Sequence, residues 1–404
     1  MAVWPAARTV DAMATPTKIR PRALVRASGG PRYAVALVVD ALGTGLLRPF
    51  LLLYGVLVLK LSASATGVAM TAGIVVGLGC MPAVGRWLDR GARSTVVAAS
   101  MLVRVLGAGL LLAAPAGHVG LFAAAALFLG IGNQAWPAAH AALVATVAHG
   151  RERDAALAGG RALRNAGLGA GGLLATACLA GGAGALQALA AVTGLAYLVA
   201  AALAWSVRLR AQPSDAVAAH GPAPRLRALL AANVIYVFCL NVPEVALPLV
   251  LVTELHASPV WSAAVFVANT VLVVVLQVPV TVLLARFTRR TALVLGGVVL
   301  TASYLGFLAA TGWGAAAVAA VSVVCTLGEI IYAGSATALV TVLAPPHLLG
   351  RALARFQLST GFGLAVSPAV ITALASRGPG VLWGGLAAAT LVSTSAVAAE
   401  KETA

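Results

Sequence analysis

Long apolar runs recur along the chain, at roughly 33–59, 64–84, 94–116, 119–147, 155–182, 185–207, 227–253, 259–284, 291–311, 314–343, 350–376 and 379–398, with short polar connections between them. A crossing of the bilayer needs ~20 predominantly apolar residues, so the pattern predicts twelve transmembrane helices. Several runs contain Gly or Pro, which membrane helices tolerate where neighbours satisfy the freed backbone groups. The stretch 1–32 is rich in Arg and Pro and lacks the apolar core and cleavage site of a secretory signal; it is expected to be a cytoplasmic tail. Between Arg208 and Arg227 lies the longest polar connection, with Pro213, Gly221, Pro222 and Pro224, which reads as a linker. The expected organisation is a tail at 1–32, a six-helix bundle at 33–208, a cytoplasmic linker at 209–226, a second bundle at 227–398 and a short cytoplasmic tail at 399–404.

Composition excludes the soluble classes. At ~150 residues per domain, 404 residues would suggest two or three soluble domains. Charged residues, however, make up only 9% of the chain and hydrophobic ones 61%, against ~25% charged in a soluble protein. A net charge of +16 could advertise a nucleic-acid partner if it formed one patch. Instead the charges fall in small clusters between apolar runs, and no nucleic-acid partner is expected. With the N-terminus inside, twenty basic residues fall on the cytoplasmic side and only Lys60 and Arg377 opposite, while Arg48, Arg104, Arg161, Arg164 and Arg355 lie within or at the ends of helices. Both termini are therefore expected in the cytoplasm. Arg outnumbers Lys heavily, Lys18, Lys60 and Lys401 being the exceptions, which with abundant Ala and Gly suits a high-GC bacterium. Cys80, Cys178, Cys239 and Cys325 sit in apolar runs with no paired spacing, so neither a disulfide framework nor a metal site is indicated.

The two halves align when offset by about 195 residues. LGIGNQAWPAAHAALVATVA, ending at Ala148, matches CTLGEIIYAGSATALVTVLA, ending at Ala344, and pairs Gly132 with Gly328, Asn133 with Glu329, and Trp136 with Tyr332. Arg161 likewise meets Arg355, Pro49 meets Pro248, and Arg93 meets Arg290. A duplicated six-helix unit in parallel orientation follows.

Between the second and third runs stands GRWLDRGARS, Gly85 to Ser94. It resembles the loop signature of the major facilitator superfamily: Gly85, Asp89, Arg90 and Arg93 match, whereas Ala92 stands where Gly is usual and Ser94 replaces a basic residue. The opening DALGTGLLRPFLLLY is similar to the first helix of bacterial twelve-helix drug and metabolite exporters. The fifth run is glycine-rich at Gly167, Gly169, Gly171 and Gly172 but lacks the Gly-Pro of many antiporters. The resemblance implies an all-α membrane protein of twelve helices in two pseudo-symmetric bundles. It also implies a rocker-switch secondary active transporter of the bacterial plasma membrane.

The residues support a reading of their own. Asp89 can accept hydrogen bonds from a helix N-terminus or pair with Arg90, Arg93, Arg351 or Arg355, which with Gly85 form the expected cytoplasmic gate; alternatively the arginines only fix topology. A charge at the bilayer centre costs ~2.5–3.5 kcal/mol on insertion scales, so ionisable groups there usually mark a pathway. Glu329, mid-span in the tenth run, is the sharpest candidate for binding and releasing a proton, followed by Asp40 and by Glu244. Pro243 and Pro248, which flank Glu244, should break the seventh helix. Asp40 and Arg48 can face a cavity, or Asp40 can instead pair with Arg104. Arg48, Asn133, Gln134, Trp136, His140, Asn241, Asn269 and Tyr332 are candidate cavity lining, although each amide can equally make an interhelical hydrogen bond worth under ~1–2 kcal/mol. No GxxxxGKS, GxSxG, HExxH or paired acidic motif occurs, so no cofactor, metal or enzymatic centre is expected. The expected activity is proton-coupled efflux of a small amphipathic compound, such as a drug, antibiotic or secondary metabolite, by a monomer. A uniporter or proton symporter is the alternative; a membrane-embedded enzyme or a non-transporting sensor is more remote.

Overall fold

The computed structural model describes residues 21–178, 181–209 and 226–400. Most of the expected tails and linker lies outside the described residues. Twelve long helices follow in order: α1 Pro31–Val58, α2 Ala63–Asp89, α3 Arg93–Ala113, α4 Val119–Val147, α5 Gly150–Cys178, α6 Gly182–Ser206, α7 Arg227–Glu254, α8 Pro259–Leu284, α9 Arg289–Ala310, α10 Ala315–Leu343, α11 Leu349–Ala375 and α12 Pro379–Ala399. Among the described residues, all except α5 meet the length and apolarity of a membrane crossing. The exception carries Arg151, Glu152, Arg153, Asp154, Arg161 and Arg164. It begins five residues before the apolar run does, because its polar first turn continues the helix with Glu152 placed where unpaired N–H groups favour a carboxylate. A short helix at Pro21–Ala27, within the expected tail, packs on α4 and α5.

Local chemistry explains the irregular elements. Pro49 cannot donate to the helix ladder, and α1 narrows to a 3-10 turn at Arg48–Phe50 before a π-turn at Tyr54–Val58. In α7, Pro243 falls in a π-turn and Pro248 in the short α-turn Leu247–Leu249 between two π-turns, so the prolines distort the helix, which nevertheless runs on from Arg227 to Glu254 where a break was expected. Ser62 caps α2 by accepting from Ala65 N–H at 3.2 Å, and Ser258 caps α8 by accepting from Val260 N–H at 3.4 Å. These caps stand at matching places in the repeat. The GRWLDRGARS segment is not all loop: Gly85–Asp89 are the last turns of α2, and only the turn after them leaves the helix. Gly91 supplies the positive φ of 82° that this turn requires, so Ala92 can replace the usual Gly.

Packing repeats between the halves. In the first, α1 packs on α5 and α6, α3 on α4 and α6, and α2 on α4; in the second, α7 packs on α11 and α12, α9 on α10 and α12, and α8 on α10. Small residues allow close crossings, as is common between membrane helices. A Cβ on Gly171 of α5 would meet the Leu42 carbonyl oxygen of α1 at 2.6 Å. Between lobes, α2 meets α11 and α5 meets α8, two seams related by the same twofold axis. Large apolar side chains such as Leu173, Val260 and Val392 point outward. Exposed Trp87 and Trp205 lie toward one rim of the bundle and Trp261 and Trp313 toward the other, as aromatic residues do at membrane interfaces.

Candidate functional site

The end of the bundle that holds the α2–α3 turn, also rich in arginine, is closed across both seams. Gly350 N–H of α11 donates to Asp89 Oδ1 at 2.7 Å, Arg351 N–H donates to the same oxygen at 3.3 Å, and Arg351 Nε donates to Oδ2 at 2.6 Å. Asp89 thus caps the N-terminus of a helix in the other lobe while pairing with its first arginine. Gly85 makes the approach possible, since a Cβ there would stand 2.9 Å from Arg351 Cα and from Ala354 Cβ. The other members of the expected gate do not join this contact. Arg93 donates to the Ala142 carbonyl at 3.1 Å and to Thr146 at 2.6 Å within its own lobe. Arg90 and Arg355 are exposed, and among the described residues they make no ion pair.

A second closure, on the α5–α8 seam, was not anticipated from sequence. Asp154 of α5 lies 2.9 Å from an Nη of Arg289, at the start of α9, and Arg153 donates to the Thr341 carbonyl of α10 at 3.4 Å. A buried acid beside an arginine in a helix's first turns was the available signal, but its partner lies 135 residues away.

At mid-depth the repeat sets Asn133 and Glu329 at equal positions, each fourteen residues from both ends of a 29-residue helix (133 − 119 and 147 − 133; 329 − 315 and 343 − 329). Asn269 of α8 donates to Glu329 Oε2 at 2.9 Å and to Thr326 at 3.0 Å, which leaves Glu329 Oε1 without a hydrogen-bond partner among the described residues. Gln357 of α11 donates to Gln134 of α4 at 3.0 Å, joining the lobes. Trp136 stacks on His140, their ring centroids 5.0 Å apart, and His140 Nδ1 shares a 2.9 Å hydrogen bond with Tyr33 OH. Two α5 residues complete this layer, and neither was a candidate from sequence. The Arg164 guanidinium lies over the Trp136 ring at 4.6 Å. Arg161 donates to Thr337 of α10, and its Nη1 is buried without a partner.

The other candidates fall elsewhere. Asp40 pairs with Arg104 at 2.6 Å, both fully enclosed within the first lobe, so of the two sequence readings the geometry takes the paired one. Arg104 also lies over the Tyr197 ring at 4.4 Å. His140 is buried within its lobe, against Tyr33 and Trp136. Tyr332 OH donates to Asn233 at 2.7 Å, and Asn241 donates to Ser367, so both hold the second lobe together. Arg48 and Glu244 are exposed in the opposite half, within electrostatic range of each other but unpaired. Two surface clefts lie apart from the mid-depth cluster. One, of about 240 Å³, adjoins Asp154 and Arg289; the other, of about 220 Å³, lies beside Glu254 and Thr372. Among the described residues, no three His, Cys, Asp or Glu side chains gather as a metal site would need.

The family model described as Major Facilitator Superfamily matches residues 33–368. No curated protein matches the chain in sequence. Among solved structures, a bacterial homologue of the iron transporter ferroportin in an outward-facing state is similar at 14% identity with a TM-score of 0.76, covering 91% of this chain and 98% of that one. The human organic anion transporter MFSD10 is similar at 15% identity with a TM-score of 0.72, covering 94% and 100%. The transporter FucP in its outward conformation is similar at 14% identity with a TM-score of 0.65, covering 91% and 97%.

Proposed function

The chain belongs to the major facilitator superfamily and is a multi-pass membrane transporter rather than an enzyme, and from its geometry we propose that it couples the movement of a small amphipathic compound to protons by alternating access. The supporting observation is the lone Glu329 carboxyl at mid-depth, held on one oxygen by Asn269 and free on the other. A carboxyl so placed gains a proton when its cavity faces one side and loses it when the cavity faces the other. In this reading the arginine-rich end is cytoplasmic, by the positive-inside rule, and lies in the bacterial plasma membrane with both termini inside. Closure there through Asp89 and Asp154, with Arg48 and Glu244 exposed in the other half, describes an outward-facing state. Switching requires both seams to part while the outer ends close, as rigid lobes rock about the central site.

The resemblance of the first helix to exporters supports efflux in exchange for protons. A second reading, symport of proton and substrate, is favoured by the unpaired arginines of α5, which a cationic drug would not satisfy. Of the similar structures, FucP is a fucose:proton symporter. Reconstituted protein carrying Glu329→Gln should lose pH-gradient-driven flux while retaining exchange of labelled substrate at equal pH. Undiminished pH-driven flux in that variant removes Glu329 from coupling.

A further inference from the structure

We infer that Arg161 and Arg164 form an anion-recognition site, and that the transported compound carries a carboxylate or another anionic group joined to an apolar body. The inference rests on the transport reading above and specifies the substrate class of its mid-depth site. The two residues lie three positions apart on α5, hence on one helix face. Guanidinium groups at this depth need a counter-charge or a full set of acceptors. Arg164 makes neither an ion pair nor a hydrogen bond among the described residues, and Arg161 has Thr337 alone, with Nη1 buried and orphaned.

The nearby acids do not supply the missing charge. Asp40, whose charge reaches Arg164, is already held by Arg104 at 2.6 Å. Glu329, hydrogen-bonded to Asn269 in the second lobe, makes no ion pair with either arginine and so compensates them at most at a distance. Arg48 is a further cation without an ion-pair partner among the described residues. The Arg164 guanidinium carbon lies 4.6 Å from the Trp136 ring centroid, a cation–π contact, and no acceptor among the described residues takes its N–H fork, the group that can hold a carboxylate or phosphate bidentately. Trp136 is itself buried with its indole N–H unpartnered, a further donor in the same layer.

The test uses three probes with the same aromatic body: 2-naphthoate, 2-naphthylmethanol and 2-naphthylmethylammonium, added to the purified full-length protein up to ~10 mM, well above the millimolar end of ordinary weak binding. Thermal unfolding reports binding, and counterflow of labelled 2-naphthoate in proteoliposomes reports transport. Naphthoate should raise the unfolding temperature saturably while the alcohol and the ammonium do not. Arg164→Gln and Arg161→Gln should each weaken naphthoate binding about tenfold or more, with Arg164→Lys recovering part of the loss, as expected where a charge-assisted pair is removed. The unfolding temperature of each variant without ligand establishes that it is folded. Equal binding of all three probes, preference for the ammonium, binding of none, or unchanged naphthoate affinity in both glutamine variants overturns the anion site. The outcomes separate from those of the transport reading. Anion-selective, arginine-dependent binding without counterflow leaves the site standing and removes transport; pH-driven flux of a cation leaves transport standing and removes the site.

Discussion

Asp89 holds α11 by two routes, and they can be removed separately. Arg351→Gln deletes only the side-chain arm; Arg351 is half exposed, so that pair is worth ~0.5–1 kcal/mol after screening by solvent. Asp89→Ala deletes the arm together with the cap on Gly350 and Arg351 N–H. Hydrogen bonds to a charged acceptor contribute ~1.5–3 kcal/mol each, but one of these is only part-buried and the 3.3 Å one is exposed, so solvent screening puts both at or below the lower end and the whole contact at about 2–3 kcal/mol. If the contact exists only in the closed state, Asp89→Ala should shift the open-to-closed ratio by ~30–150-fold and Arg351→Gln by only ~2–5-fold. Spin labels on cysteines introduced at Arg86 and Arg355, with Cys80 and Cys178 replaced, report the separation of α2 and α11 by pulsed dipolar spectroscopy. The alanine variant should populate a longer distance that the glutamine variant barely shows. Equal shifts would mean that the side-chain pair alone carries the latch and that the cross-lobe cap contributes nothing; no shift in either would mean that this seam does not set the resting state.

Two further outcomes follow from the same geometry. Asp154→Asn should loosen the α5–α8 seam, measured between labels on those helices, and its effect should add to that of Asp89→Ala within ~0.5 kcal/mol, because the two closures share no partner. Asp40→Asn leaves the enclosed Arg104 unpaired and should cost about 3–5 kcal/mol in unfolding measurements, whereas Asp40→Asn with Arg104→Gln recovers most of it and keeps pH-driven flux. Loss of that flux in the stable double variant would return Asp40 to the coupling path.

Residues whose role is set by depth, helix periodicity or backbone restriction were legible in the sequence. The apolar runs of α4 and α10 gave their limits, the paired prolines Pro49 and Pro248 marked where α1 and α7 lose regularity, and the repeat set Glu329 opposite Asn133. Asp89 was readable because few acids stand at helix ends and this one precedes a turn that needs a glycine. Partner choice was not legible. Arg161 meets Thr337 across 176 residues, and nothing local distinguishes an arginine that faces another lobe from one that anchors in a headgroup layer. Tyr332 and Asn241 illustrate the related point that a polar side chain at membrane depth satisfies itself on a neighbouring helix as readily as on a cavity, a choice the sequence leaves open.

The twofold frame is symmetric, but its charges are not, and their arrangement bears on the direction of coupling. At the closed end the first lobe supplies both acids, Asp89 and Asp154, and the second supplies both arginines, Arg351 and Arg289. At mid-depth the signs reverse, with Arg161 and Arg164 in the first lobe and Glu329 in the second. Protonating Glu329 removes the only negative charge that the second lobe presents at that depth among the described residues and leaves the α5 arginines with less compensation. An anion arriving at those arginines restores it, so proton and anion strengthen each other's binding by the same factor. A cation does the opposite and is displaced by the proton. The sign of the substrate therefore decides between co-movement and exchange: naphthoate binding that is unchanged or weakened on acidification and in Glu329→Gln would contradict this linkage, whereas tightening in both acidified wild type and Glu329→Gln selects symport over efflux by exchange.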